Sequence, residues 1–450
     1  MQHIIYLEIL GSLSETGFSL DELVIKTKDI FDREGIAGFV ALLLRLVDWD
    51  LYSRIVIEKK AEQYGYHCCD HPIYEAHDHR PRQFRTSVGT VQFDWNRLRC
   101  RCCGKIITPL REFLGLVPYQ SQSLELSKLV VEIVSEQSYR RSSSHLDKIG
   151  VIPVPKSTAH RWVAQTDSAE LEPLDGKLLT LFADGTGYKR RPEPEKGLDN
   201  QGEVRVALGV TPQGQVVPVG AWSGSSWEDI GHDIQSRSSS KLPVADILVS
   251  DGELGLAAGL ADLTDSHQRC QWHLVRDLDP TLWSDHTQLA ERRKLQGELA
   301  GIIGIELPKD DFERVSADDK RAIEERLGQA EKGLLDLIQR LESRNHVLAA
   351  NYIRRAKDRI FTYVNFWLRF GIVSPRVSSW IERMMRELGR RLKKMAFGWS
   401  EQGAAKMAKI IIKRFVDPAV WNEFWNRKLR LDGNVIILFR GVKESNPIHH

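Results

Sequence analysis

The sequence has no long apolar run. Its longest such stretch, Gly35–Leu44, falls well short of the ~20 residues a membrane span requires. It has no dominant charge either: 63 Lys and Arg against 61 Asp and Glu leave a net charge of +2. A nucleic-acid surface, if there is one, must therefore be a local patch rather than a property of the whole chain. The early run Ile4–Leu10 is interrupted by Glu8 and has no basic lead, which excludes it as a secretory signal. Cysteine is scarce, and five of the six crowd between Cys68 and Cys103. That leaves no dispersed set for a disulfide framework. These absences point to a cytoplasmic chain with no membrane segment. The 42% hydrophobic and 28% charged content suits a globular protein, and 450 residues suffice for two to four domains.

The crowded cysteines read as a zinc ribbon over residues 64–117. Cys68-Cys-Asp-His71 offers a Cys-x-x-His knuckle and Cys100-Arg-Cys-Cys103 a Cys-x-x-Cys knuckle. Two such pairs on tight turns, joined by a hairpin, make a closed tetrahedral structural site. Thr86–Trp95 alternates like a strand between them. Cys69, Cys102, His67 and His77 remain open as substitute ligands.

Further on, two short apolar runs read as buried strands, Leu178–Ala183 and Ile247–Val249. Each is followed by Asp-Gly, at Asp184-Gly185 and Asp251-Gly252. Either acid alone reads equally as an ordinary turn. Two carboxylates at neighbouring strand ends form a hard, oxygen-rich site suited to magnesium or manganese. Two such ions can serve phosphodiester chemistry. Val204–Val210 and Gln215–Ala221 read as further strands, followed by Trp222 and Trp227, which either stack on bases or cap the core. Pro192–Gly197 reads as a turn-rich loop.

Strand-Asp-Gly, then Ser250-Asp-Gly-Glu-Leu-Gly-Leu256, then Gln268-Arg-Cys-Gln-Trp-His273, resembles the catalytic core of Mutator-related bacterial insertion-sequence transposases, which are DDE recombinases of ribonuclease-H-like fold. The run Ser379–Lys394 matches that family's last helix. The resemblance covers roughly 177–415 and, more weakly, the amino-terminal half, where such enzymes often carry a comparable ribbon; His71 departs from the cysteine more usual there. It implies a catalytic triad of Asp184, Asp251 and Glu382 on two magnesium or manganese ions. It also implies an all-helical insertion in the 131 residues separating 251 from 382. The implied reaction cleaves element ends and joins the 3′ hydroxyl to target DNA. Glu401 is the alternative third acid, with a helix-capping role after Ser400 as its plainer reading. A nuclease without strand transfer and a catalytically silent DNA-binding derivative are the competing functions.

The DNA contacts are expected on local basic features. Leu124–Gln165 reads as helix, turn, helix, with Arg140 and Arg141 on phosphates and Lys156, His160 and Arg161 at the start of a recognition helix capped by Ser157 or Thr158. On Ser379–Lys394, Arg383, Arg386, Arg390 and Arg391 surround the acid, and Glu382, Arg386 and Arg390 share one face; a salt-bridged surface helix is the alternative. His273 is expected near the carboxylates, on DNA or a phosphate, with ordinary packing or a Cys270-x-x-His273 metal step as alternatives. The expected organisation is multidomain α/β. A helical region (1–63) containing Leu20–Phe31 and Ile36–Ala61 precedes the ribbon (64–117) and a helix-turn-helix-like region (118–170). The ribonuclease-H-like core follows in two parts (171–279 and 376–416), around a helical insertion (280–375) and before an aromatic, basic tail (417–450). The expected partner is double-stranded DNA, terminal repeats and target alike, held by a homo-oligomer.

Overall fold

Between Gly89 and Cys100 every second residue from Val91 to Trp95 is apolar, and a period of two puts Val91, Phe93 and Trp95 on one face of a strand. In the computed structural model this is β2 (Gly89–Cys100), paired antiparallel with β1 (Tyr74–Thr86) and the short β3 (Ile106–Ile107). The structure describes residues 35–431, apart from 149–151, 168–169, 172, 193–194, 196, 198, 240–242, 309–310 and 395–396. The expected helix Leu20–Phe31, part of the loop 192–197 and the end of the tail lie outside these. The chain is mixed α/β and divides into two compact units, Met1–Val163 and Ala164–His450. Among the described residues no helix is long and apolar enough to cross a membrane.

In the first unit, α1 (Ile36–Tyr52) lies across β2, with Ala37, Ala41 and Leu51 in a core shared with Phe84, Val91, Phe93 and Leu98. The buried Asp48 carboxylate of α1 accepts from the Asn96 backbone N–H (2.9 Å) and side-chain amide (2.6 Å), fixing the helix to the strand. Thr86 ends β1 rather than opening the following strand, since it pairs with Gly89 across a two-residue turn. After α2 (Pro109–Phe113), three helices follow: α3 (Leu124–Glu136), α4 (Tyr139–Lys148) and α5 (Lys156–Gln165). Ser123 caps α3 by accepting from the Leu126 N–H. Because α5 begins at Lys156, Ser157 and Thr158 fall within its first turn and not at the cap.

The second unit is built on a five-stranded sheet of order β6-β5-β4-β7-β8. Its strands are β4 (Leu178–Lys189), β5 (Gln201–Val210), β6 (Val216–Ser223), β7 (Ala245–Ser250) and β8 (Thr264–Arg269). β4 runs parallel to β7, and β7 to β8; β5 is antiparallel to both β4 and β6, so it alone opposes the other four. β4 does not stop at Asp184. It continues through Gly185 and Gly187 to Lys189, with Asp184 opposite Val206. The glycines are strand residues here: a Cβ on Gly185 would meet the Glu203 carboxylate.

Leu181 and Ala183 face a core formed with α6 (Trp227–Arg237) and α7 (Leu254–Gly259), so the alternate Phe182 and Asp184 face the opposite side. There α13 (Ser379–Leu392) packs on β4 and α14 (Glu401–Val416) on β5 and β6. Between β8 and α13 the chain forms α8 (Gln271–Ser284), α9 (Leu289–Ile303), α10 (Ala317–Ser343), α11 (Val347–Ala356) and α12 (Thr362–Phe370) around a leucine-rich core of their own. Buried Gln268 ties this helical body to the sheet, accepting from Tyr363 N–H (2.9 Å) and donating to the Ile360 carbonyl (2.9 Å). The chain after α14 turns into α15 (Pro418–Leu429), whose Trp421 and Trp425 are buried.

Where α6 crosses α7 the backbones nearly touch: a Cβ on Gly259 would lie 2.6 Å from the Trp227 carbonyl carbon. Gly259→Ala should therefore destabilise the protein by about 1–3 kcal/mol, read as a lower denaturant midpoint, whereas Gly297→Ala, whose Cβ meets nothing within 4 Å, should not.

Candidate active site and metal centre

Three acids from separate parts of the chain converge beside β4. Asp184 projects from mid-strand, its Oδ1 accepting from the Gly185 N–H (2.7 Å). Asp251 follows β7 directly, where Gly252 at φ 93° turns the chain and the Glu253 N–H donates to Asp251 Oδ1 (3.0 Å). Glu382 lies in the first turn of α13, with Oε1 2.8 Å from His273 Nε2. Burial, and then the negative charges of Asp251 and Glu382, push the Asp184 carboxyl up to about 7, against the Gly185 N–H and His273, which pull it down. A carboxylate in that position is under pressure to take up a proton or a cation. The three do not close as tightly as metal ligands: among the described residues only a thiol cluster has its ligand atoms all within 4.8 Å of one another. Like charge opposes closer approach, and Glu382 is turned towards His273.

The turn carrying Asp251 is braced from below. Buried Ser250 places Oγ 2.8 Å from His267 Nε2. Burial, then the nearby Arg359 and Arg269, bring His267 down to about 4, so it is neutral at pH 7. The buried Arg269 guanidinium lies where a Cβ on Gly252 would go, and donates to Tyr352 Oη (2.9 Å). His273 has the opposite character. Burial disfavours its charge, but its contact with Cys270 and the charge of Glu382 outweigh this and hold it above its ordinary value. Ser378, just before α13, links both: its Oγ is 3.3 Å from Cys270 Sγ and 3.4 Å from His273 Nδ1. Cys270 and His273 thus form a brace for the helix bearing Glu382. His267 and Ser378 gave no signal in the sequence, and Ser250 and Arg269 stood there only as members of the runs Ser250–Leu256 and Gln268–His273, since their partners are distant in the chain.

Other expected residues fall elsewhere. His273 is buried, so it contacts Glu382 and not DNA directly. Arg391 is only 2% exposed, with its guanidinium 4.6 Å from the Trp399 ring; it belongs to the core and is withdrawn as a DNA contact. It continues the buried stripe of Ile381, Met384 and Leu388, so helical spacing carries it inward. Arg383, Arg386 and Arg390 are exposed, Arg390 pairing with Glu387 at 2.7 Å. Glu401 pairs with Arg190 at 2.7 Å at the start of α14, where Ser400 is the cap. Trp222 and Trp227 bond Asp233 and Glu253 through their indole N–H groups, and Trp227 is buried in the core. In the first unit Arg140, Arg141, Lys156, His160 and Arg161 are all exposed. Arg140 and Lys156 line a hollow of about 430 Å³ between α4 and the start of α5.

The thiol cluster of the first unit could hold a metal ion. It comprises Cys68, Cys69, Cys100 and Cys103. His71, expected as the fourth ligand, is not part of it; its backbone carbonyl accepts from Cys102 Sγ (3.0 Å). Adjacent cysteines take two corners, because Cys69 Sγ reaches Cys100 Sγ at 3.8 Å while Cys68 Sγ lies 3.4 Å from Cys103 Sγ and 3.9 Å from Cys69 Sγ. A tetrahedron of sulfurs around zinc, with bonds of about 2.3 Å, has edges of about 3.8 Å. The spacing is therefore compatible with a structural zinc ion. Cys100 is prepared for such a charge: burial would raise its thiol, but the backbone N–H groups of Cys103 and Cys102 bring it down to about 6.

Residues 66–162, which contain this cluster, α2 to α4 and most of α5, match a family described as a domain of unknown function, DUF6431. A comparison with curated proteins finds no match.

Two outcomes follow. Cys69→Ser should lose the about one zinc ion per chain that His71→Ala retains, by elemental analysis of purified protein. Asp184→Asn should raise stability at pH 8 by up to about 4 kcal/mol. The sign comes from a folded value near 7 against 3.8 unfolded: the folded state loses stability as pH rises between these values, so the gain should fade towards pH 4. Denaturant melts across that range check it.

Proposed function

We propose that this chain is a DDE transposase of ribonuclease-H-like fold, using Asp184, Asp251 and Glu382 with two magnesium or manganese ions. The observation that carries the reading is the convergence of these acids from β4, the end of β7 and α13, where burial and then the charges of Asp251 and Glu382 push the Asp184 carboxyl up to about 7. The strand order, with β5 alone opposing four strands that run together, supports the fold. So does the helical body between the second and third acids.

When bound, two divalent ions activate the attacking oxygen and neutralise the leaving one at a phosphodiester. The chain's own work is positioning. Asp184, held by the Gly185 N–H, and Asp251, held by the Glu253 N–H, present their remaining lone pairs to the ions. His273 would hold Glu382 beside the site as a further ligand, and Arg383, Arg386 and Arg390 on the same helix would attract the phosphates. Water would serve as nucleophile for cleavage and the freed 3′ hydroxyl for joining. The thiol-bound zinc would hold the ribbon, and α4 and α5 would bind the terminal repeats of double-stranded DNA, with the enzyme acting as a homo-oligomer in the cytoplasm.

The test uses a plasmid carrying the DNA that flanks the coding sequence. In magnesium, the wild type should cut and join. Asp184→Asn, Asp251→Asn and Glu382→Gln should each lose about 100-fold or more while still folding and binding DNA. Glu401→Gln should retain most activity. Cutting without joining of labelled 3′ ends would make the chain a nuclease, and DNA binding with no cutting a silent derivative. Separately, Arg390→Ala should weaken binding to every sequence and flatten the salt slope by about 1, measured by titration at several salt concentrations.

A further inference from the structure

Trp272 stands in the first turn of α8 between two buried residues, Gln271 and His273, yet is itself 51% exposed. The ring is not loose. The Arg276 guanidinium lies 4.7 Å from its centroid, and the His273 ring meets it edge-on at 4.8 Å and 78°. His273 is the residue beside Glu382; Arg276 is paired with Asp277 at 2.5 and 3.0 Å and, more weakly, feels the charges of Glu382 and Asp251. A fixed indole and a cation therefore sit at the rim of the carboxylate site.

We propose that Trp272, with Arg276, is a stacking platform for one unpaired base of a DNA strand whose phosphate occupies the Asp184–Asp251–Glu382 site. The inference rests on the phosphodiester reading above. An exposed indole offers a flat π-face that accepts any base, and an arginine alongside strengthens the contact. The base must be unpaired and unstacked, because in a duplex both of its faces are already covered. The platform therefore selects strands that are open beside the reacting phosphate. Trp380 provides the internal contrast. It is 46% exposed and carries Arg383 at 5.4 Å, but it lies two positions before Glu382 on α13. At about 100° per residue that places it on the far side of the helix from the acid.

The experiment measures binding of full-length protein, in calcium to prevent cutting, to two DNAs. One is a forked duplex with a short unpaired flap and 2-aminopurine at the junction; the other is the fully paired duplex. The wild type should quench the 2-aminopurine. Trp272→Leu should bind the fork about 5- to 150-fold more weakly and lose the quenching, with duplex affinity unchanged. Trp272→Phe should keep most of both, and Trp380→Leu should resemble the wild type. Retained quenching and fork affinity in Trp272→Leu would overturn the proposal, as would equal weakening on fork and duplex. If Trp272→Leu does not fold, an unquenched Trp272→Phe complex overturns it instead. In each of these cases cutting by the wild type in magnesium would leave the phosphodiester reading intact. A wild type that neither binds nor cuts DNA would remove that reading, and the platform with it.

Discussion

Burial, and then repulsion from neighbouring carboxylates, sets the character of Asp184 in the second unit. Asp184 is half-buried and flanked by two further acids. Left to itself, such a cluster drives its own members apart or protonates one of them. The fold resists the first. Asp184 cannot swing away because the strand carrying it is hydrogen-bonded on both sides, to β5 and to β7. Asp251 is held by a left-handed glycine turn lying over a buried arginine. The sheet therefore supplies two fixed acids, while the third arrives on a helix and can be adjusted.

That helix is tied down by side chains rather than by the sheet. His273, Ser378 and Cys270 form a continuous, buried polar link from the start of α8 to the start of α13. Buried polar links are worth little in net stability but are costly to break, because each member left unpaired is left desolvated. The link therefore sets where Glu382 stands more than it contributes to overall stability. Gln268 and Gln271 act similarly one step away, donating to carbonyls of the helical body (2.9 Å to Ile360 and 3.0 Å to Ile303) and locking it against β8. A long insertion can be accommodated between two acids only if its ends are fixed in this way.

How much of this is legible in the sequence depends on the range of the interaction. Alternation at Val91, Phe93 and Trp95, the apolar runs ending at Ser250 and Ala183, and the stripe along α13 are local patterns, and they give strands and helices directly. Local reading errs where one residue type serves two purposes. Gly185 and Gly187 look like turn residues but lie inside a strand, where the space above Gly185 is taken by the Glu203 side chain. Cys-x-x-His spacing nominates His71, but two adjacent cysteines provide the sulfur spacing. Arg391 reads as basic surface by composition, though its phase on the helix, three residues after Leu388, puts it inside. Here periodicity carried more information than charge. The His267 and Ser378 braces pair residues 17 and 105 positions from their partners, and no local pattern encodes them.

The contrast between the thiol cluster and the carboxylate set follows from their chemistry. Thiols are polarisable, can sit at van der Waals distance from one another while protonated, and so can be close-set before an ion arrives; Cys68, Cys69, Cys100 and Cys103 are. Charged carboxylates cannot, and Asp184, Asp251 and Glu382 stay apart. A preformed thiol cage suits an ion that stays and stabilises a small ribbon, whose own core is limited to one face of a three-stranded sheet and α1. An open set of acids, one of them held back by a histidine, suits ions that enter with their substrate and bring the last ligand into place. Under the proposed chemistry, cations would offset the repulsion among the three acids, which would tie assembly of the catalytic geometry to the arrival of DNA.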